Sequence, residues 1–80
     1  MIDPKTLSLI IKKHRKAAKL SQIQLAEMAG VGKTVVYDIE KGKETIQLAT
    51  LRKILNVLNI KIELVSPFMN QIKVDNNEDS

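Results

Sequence analysis

The sequence predicts an all-α domain of four to five short helices, followed by one C-terminal β-strand. Apolar residues recur at helical spacing over most of the chain, and capping residues or glycines interrupt that pattern at intervals. Near residue 59 the helical period changes to strict alternation, which is typical of a strand. The 80 residues leave room for one domain with a modest core.

The first helix is predicted from Pro4 to about Lys19. Asp3 can cap its backbone N–H groups, and Pro4 suits the first helical position because its missing N–H leaves nothing unpaired there. The apolar side comprises Leu7, Ile10, Ile11, His14, Ala17 and Ala18. We expect His14 to be a packed or half-exposed side chain and not a ligand. The outer face carries Lys12, Lys13, Arg15, Lys16 and Lys19, and its four lysines either stay solvated or meet phosphate groups.

Two further helices are predicted on either side of a very short turn. Ser21 and Gln24 have the spacing of a capping box at the start of the second helix, and Gly30 can end it. The third helix covers about residues 33–41. Because helices this short are unstable alone, the two must share a core, which is the arrangement of a helix-turn-helix. The apolar residues expected in that core are Leu25, Ala26, Met28, Val31, Val36 and Ile39.

The last third of the chain changes from helix to strand. A fourth helix is predicted from about Leu48 to Leu58, with a buried stripe of Leu48, Leu51, Ile54, Leu55 and Leu58. Alternation of apolar and charged residues then predicts a strand over residues 60–65. We assign residues 1–66 to the folded domain and residues 67–80 to a polar, acidic and flexible tail.

Composition excludes several classes of protein. There is no cysteine, so disulfides and thiolate metal sites are ruled out. One histidine and no clustered carboxylates supply no set of groups for acid–base or nucleophilic catalysis. No apolar run approaches the roughly 20 residues of a membrane span, and the N-terminus lacks a signal-peptide pattern. We therefore expect a cytoplasmic protein that is not an enzyme and binds no cofactor or metal.

The charge is unevenly distributed. Thirteen basic and nine acidic residues give a net charge of +4. All thirteen basic residues lie at or before Lys73, while Asp75, Glu78 and Asp79 follow it, so residues 1–73 carry +7. A compact basic body favours a polyanion such as nucleic acid, and equally keeps a protein soluble.

The two short helices resemble the phage-repressor (Xre/Cro-type) helix-turn-helix family over about residues 7–58. The residues that carry the resemblance are Ser21, Gln22, Leu25, Ala26, Gly30, Val31, Val36, Ile39, Glu40 and Gly42. It implies that the third helix enters the DNA major groove. It implies that Gln22 binds a phosphate and that the early positions of the third helix read bases, which are Lys33, Thr34, Tyr37 and Asp38. We add Gly32 and Lys43 to the predicted DNA-binding residues. It also implies a buried Arg15–Glu40 pair, and Gly32 departs from the Ser or Thr expected as the cap.

The chemistry of these side chains agrees with DNA binding. Lys33 can donate to guanine or to a phosphate, and Thr34 offers a hydroxyl and a methyl to a base edge. Gln22 lies in the first turn of its helix, where free N–H groups favour a phosphate oxygen. Tyr37 either contacts DNA or packs beside the first helix, and Asp38 either accepts from cytosine N4 or faces away.

A lone strand leaves its backbone N–H and C=O groups unpaired, and the same strand of a second copy is the simplest partner. We therefore predict a homodimer joined by antiparallel strands, with the interface residues Leu58, Ile60, Ile62 and Leu64. In such a dimer, the third helix of each copy would meet one half-site of a palindromic operator in double-stranded DNA. The two half-sites would lie about one helical turn apart, ~34 Å.

Over its whole length the sequence is most similar to the HipB-type antitoxins, repressors encoded beside a HipA-like kinase toxin. This resemblance rests on the chain length, on residues 48–64 and on the overall pattern. It implies a repressor of its own operon that also binds a HipA-like kinase. Two other functions stay open: a free-standing prophage-type regulator, and a protein-interaction module that has lost DNA binding.

Overall fold

The computed structural model describes residues 3–67 and 69–74. Within these residues, four helices are followed by two antiparallel strands, which agrees with the predicted all-α helix-turn-helix class. The elements are α1 (Pro4–Ala17), α2 (Gln22–Ala29), α3 (Lys33–Glu40), α4 (Leu48–Val57), β1 (Ile62–Ser66) and β2 (Met69–Val74). No helix within the described ranges is long and apolar enough to cross a membrane.

The first two helices begin at the predicted capping residues. Asp3 accepts a hydrogen bond from the backbone N–H of Thr6 at 2.8 Å, and this bond lowers the pKa of its carboxyl. The capping box of α2 is complete, because the N–H of Gln24 donates to Ser21 Oγ at 3.0 Å and the N–H of Ser21 donates to Gln24 Oε1 at 2.8 Å. Such caps satisfy N–H groups that the helix itself leaves unpaired.

Helices α1 and α4 end slightly before the predicted residues. Lys19 and Asn59 adopt left-handed backbone conformations, with φ values of 60° and 59°, which stop the helical hydrogen-bond ladder. The next N–H in each case turns back to the helix: Leu20 donates to the carbonyl of Arg15 at 3.1 Å, and Ile60 to that of Leu55 at 2.9 Å.

The core lies where α2 packs against α3 and α4, and α1 against α3. Its buried apolar residues are Ile11, Leu25, Ala26, Val36, Ile39, Ile54, Leu55 and Leu58. The predicted sharing of a core between the two short helices is therefore confirmed. Val31, in the turn between α2 and α3, is half-buried against the same cluster.

Several apolar residues predicted in the core are exposed. Met28 and Leu48 are 62% and 65% exposed, and His14, Ala17 and Ala18 also face solvent. The buried side of α1 instead includes two polar residues, Ser8 and Arg15. Apolar periodicity could not indicate this side, because Ser8 and Arg15 are polar, and their hydrogen bonds to Glu40 of α3 join residues far apart in the sequence.

The C-terminal region differs from the prediction of a single strand. β1 pairs with β2 within the same chain, with Ile62 opposite Val74 and Leu64 opposite Ile72. β2 lies in the segment predicted to be a flexible tail, where Asn70 and Gln71 interrupt the apolar alternation that would indicate a strand. Residues 68 and 75–80 of that segment lie outside the described residues.

The four predicted interface residues are placed differently from one another. Leu58 is buried in the core of the single chain, whereas Ile60 and Ile62 are half-buried at its margin. The backbone of Leu64 belongs to β1, and its side chain is outside the described part of the structure.

Candidate nucleic-acid interface

The first turn of α3 faces solvent while its opposite side faces the core. Lys33 and Thr34 are exposed, whereas Val36 and Ile39 are buried. Gly32 precedes the helix in the N-cap position and offers no side chain to the N–H groups of the first turn. The leading end of α3 therefore presents both side chains and backbone donors to a ligand.

An open depression of about 300 Å³ lies between the starts of α2 and α3. It is lined by Gln22, Ile23, Lys33, Thr34 and Tyr37. Four of the seven predicted DNA-binding residues thus come together, although they belong to two helices. Their ammonium, hydroxyl and amide groups can donate, and phosphate oxygens, purine N7 and guanine O6 in the major groove are acceptors.

The amide of Gln22 has a fixed orientation. Its Nε2 donates to Glu40 Oε1 at 3.1 Å. Because a carboxylate can only accept, the amide nitrogen and not the amide oxygen must face Glu40. The second hydrogen on Nε2 is directed away from Glu40, so Gln22 can hold Glu40 and donate to a phosphate at the same time.

Arg15 and Glu40 form the predicted ion pair between α1 and α3. Arg15 Nε lies 2.6 Å from Oε2 of Glu40, and Nη2 lies 2.9 Å from Oε1, so the contact is bidentate. Arg15 Nη1 also donates to the carbonyl of Leu20 at 2.8 Å, and Ser8 Oγ donates to the carbonyl of Glu40 at 2.5 Å. This network ties the two helices together beneath the depression.

The network also keeps Glu40 ionised. Burial alone raises the pKa of its carboxyl, but the hydrogen bonds from Arg15 and Gln22, with the charges of Arg15 and Lys12, lower it below the ordinary value. The hydrogen bond to Glu40 raises the pKa of the Arg15 guanidinium. Lys12 is half-buried, whereas the other basic residues of the α1 surface are exposed: Lys13, Lys16 and Lys19.

Asp38 and Lys43 lie apart from the depression. Their side chains pair with each other, Lys43 Nζ to Asp38 Oδ2 at 3.5 Å, and the N–H of Lys43 donates to the carbonyl of Asp38 at 3.0 Å. Both border a second hollow beside the start of α4. The Asp38 carboxylate is thus directed toward Lys43 of its own chain.

Two side chains beside the predicted DNA-binding residues were not themselves predicted. Ile23 lines the depression and is 50% exposed. Lys41, the C-cap of α3, donates from Nζ to the hydroxyl of Tyr37 at 3.2 Å. The spacing of four residues between Tyr37 and Lys41 was a signal for this contact, since such residues are neighbours on a helix.

The structure gives His14 a local partner. Its Nδ1 lies 2.8 Å from the carbonyl oxygen of Ile10 in the same helix. Within residues 3–67 and 69–74 there is no group of histidines and carboxylates that could hold a metal ion.

A sequence model of the HTH_3 family, described as helix-turn-helix, matches residues 11–65. The chain belongs to this family. It is therefore a DNA-binding transcriptional regulator of the helix-turn-helix class, as its exposed α3 and basic composition indicate.

Two sequence relatives cover most of the chain. An uncharacterised HTH-type transcriptional regulator, y4mF of Sinorhizobium fredii, is 33% identical over 64 residues, which is 80% of this chain and 84% of the relative. The ImmF control region 10 kDa protein of Bacillus phage phi105 is 32% identical over 74 residues, 92% of this chain and 80% of the relative.

Among solved structures, a chain of a HipA–HipB–O2–O3 complex has a similar fold. It superposes with a TM-score of 0.74 at 24% identity, covering 84% of this chain and 94% of that one. This likeness shows the shared fold.

Proposed function

We propose that the protein is a dimeric, sequence-specific transcriptional repressor that places α3 in the DNA major groove. The observation that carries this proposal is the depression between α2 and α3, where Gln22, Lys33 and Thr34 lie together on an exposed face. Lys33 and Thr34, at the leading end of α3, would read base edges, and Gln22 would bind a phosphate. Repression would follow from occupation of promoter DNA.

Substitution of the two leading side chains tests this proposal. Lys33→Ala with Thr34→Ala should weaken binding to the duplex upstream of the protein's own reading frame by at least about tenfold, since each base contact contributes about 1–3 kcal/mol. Fluorescence anisotropy at fixed salt measures the effect, against a scrambled duplex. Lys53→Ala is the control, because Lys53 borders a hollow lined by α4 residues alone. Unchanged specific binding would contradict the site assignment.

We propose that two copies associate through β1. Within the described chain β1 has a neighbouring strand on one side, β2, so its other edge can accept the β1 of a second copy. Ile60, Ile62 and Leu64 would be covered by that contact, whereas Leu58 is already buried within its own chain. A two-fold axis there would suit a palindromic operator. A monomeric mass by sedimentation at micromolar concentration would contradict this assembly.

We further propose that the repressor is the antitoxin of a HipA-like kinase and regulates its own operon. The likeness in fold to HipB, which extends over most of the chain, supports this role. The kinase would bind a surface outside the α2–α3 face. We expect a kinase-like reading frame beside the gene. Its product should co-purify with the wild type and equally with the Lys33→Ala, Thr34→Ala variant.

A free-standing phage-type regulator is the second candidate. The relative from Bacillus phage phi105, which covers 92% of this chain, favours it. Neighbouring genes of phage type, and no kinase partner on purification, would support this alternative. A protein-interaction module without DNA binding is a third candidate, and failure of the wild type to shift any duplex at low salt would support that one.

A further inference from the structure

We propose that Tyr37 and Lys41 form one composite site that binds a single DNA phosphate beside the C-terminal end of α3. This inference rests on the proposed DNA-binding function. It adds Lys41, which was not among the predicted site residues, and gives Tyr37 a defined role as a donor.

The two side chains are held together at the surface. Lys41 Nζ lies 3.2 Å from the hydroxyl of Tyr37 and 5.1 Å from the centroid of its ring. Tyr37 is 48% exposed, and Lys41 is exposed as well. The backbone of Lys41 is fixed because its N–H donates to the carbonyls of Tyr37 and Asp38, both at 3.1 Å. The pair is therefore anchored to the end of α3.

The chemistry of the contact fixes the direction of the Tyr37 hydroxyl group. An ammonium group can only donate, whereas a phenol has one O–H donor and accepting lone pairs. The hydrogen bond must run from Lys41 to the oxygen of Tyr37, so the O–H of Tyr37 points elsewhere as a donor. The hydrogens that the pair can still donate are the O–H of Tyr37 and the remaining N–H groups of the Lys41 ammonium, and the ammonium is cationic. A phosphate offers only acceptors and is anionic, so it complements both.

The position of the pair favours the DNA backbone over the bases. Tyr37 lines the same depression as Lys33 and Thr34, whereas Lys41 borders a separate hollow shared with the start of α1. The pair thus lies on the flank of α3 one to two turns after its leading residues. Recognition helices contact base edges mainly through their leading residues, so a later pair on this flank meets a phosphate of the adjoining strand.

The test measures DNA binding by the full-length chain with Tyr37→Phe, Lys41→Met and the double variant. The probe is the duplex from upstream of its own reading frame, intact or with single neutral methylphosphonates placed in turn along each strand. We expect about tenfold weaker binding for each single variant, since each loses a hydrogen bond to a charged group. The double variant should lose much less than the product of the two effects.

Two further results are expected from the same proteins. One methylphosphonate position should abolish the effect of both single variants, because both act on one phosphate. Lys41→Met should reduce the slope of log affinity against log salt by about one unit, while Tyr37→Phe, which removes no charge, should leave it unchanged. The matched control is Lys53→Met, the same substitution on the outer face of α4, and it should produce neither result.

Other outcomes would overturn the proposal in distinguishable ways. Fully additive effects, or different critical phosphates for the two residues, would exclude a composite site. Reduced thermal stability with unchanged DNA affinity would make the pair a stabilising helix contact only. Unchanged DNA affinity with lost binding to a co-purified acidic protein would assign the surface to that protein. If the wild type binds no duplex, the proposed function fails too; if it binds and both variants match it, only this inference fails.

Discussion

Glu40 joins three helices through its carboxylate oxygens and its backbone carbonyl. Arg15 of α1 contacts both oxygens, Gln22 of α2 shares one of them, and Ser8 of α1 donates to the carbonyl. An ion pair is tolerated at a buried position when its hydrogen-bonding groups are satisfied in this way. The residue that links the helices therefore also fixes the orientation of the Gln22 amide.

Neutralising Glu40 should destabilise the protein strongly. Glu40→Gln keeps the shape of the side chain but leaves the guanidinium of Arg15 buried without a counter-charge, which costs about 3 kcal/mol. Urea denaturation followed by circular dichroism measures this loss. Glu44→Gln, at an exposed position in the loop after α3, is the matched control and should change stability by less than about 0.5 kcal/mol. A similar loss in both variants would contradict the role of Glu40.

Acid should destabilise the protein through the same carboxyl group. The folded-state pKa of Glu40 lies below its ordinary value of 4.5, so the unfolded chain takes up the proton more readily. The stabilisation is fully present above pH 4.5 and is lost as the pH falls through the folded pKa. Urea titrations at a series of pH values should show this loss of stability. The Glu40→Gln variant should lose less stability than the wild type over the same pH range. Asp3, whose pKa is also lowered, accounts for part of the remainder.

At the scale of the elements, the two glycines around the turn between α2 and α3 should respond oppositely to the same substitution. Gly32 has ordinary backbone angles, φ −71° and ψ 148°, and open space for a Cβ, so Gly32→Ser supplies the missing cap of α3. We expect it to stabilise the protein by about 0.5 kcal/mol. Gly30 has φ 72°, and Gly30→Ser should destabilise by about 1 kcal/mol. Thermal unfolding measures the stability change of each variant. Changes of the same sign in the two variants would contradict this interpretation.

Features that depend on nearby residues were predictable from the sequence. Asp3 directly before Pro4, and Ser21 three residues before Gln24, are local signals that predict the caps of α1 and α2. The ends of α1 and α4 were less predictable, because a lysine and an asparagine occupy left-handed positions where glycine is the usual signal.

Features that depend on distant residues were not predictable from spacing. Ser8 and Glu40 are 32 residues apart, and Gln22 and Glu40 are 18 apart, so nothing local indicates their hydrogen bonds. The Arg15–Glu40 pair was available only through the family resemblance. Met28 and Leu48 were misassigned because an apolar residue at a helical spacing can equally lie on the surface.

At the scale of the whole molecule, stability should depend on protein concentration. A chain of 80 residues has a modest core, and association through β1 would stabilise the folded state by mass action. We expect the thermal midpoint to rise steadily across a hundredfold range of concentration, measured by circular dichroism in cells of different path length. A midpoint independent of concentration would contradict a dimer that contributes to stability.

The ion pair between Asp38 and Lys43 has a consequence for how the protein responds to ionic strength. Lys43 is already partly neutralised by a carboxylate of its own chain, at 3.5 Å, before any duplex approaches. Added salt weakens that internal attraction as well as any attraction to phosphate, so the two changes offset each other at this residue. The dependence of DNA affinity on potassium chloride concentration gives the number of displaced counterions. That number should therefore be smaller than the number of lysines that face the duplex.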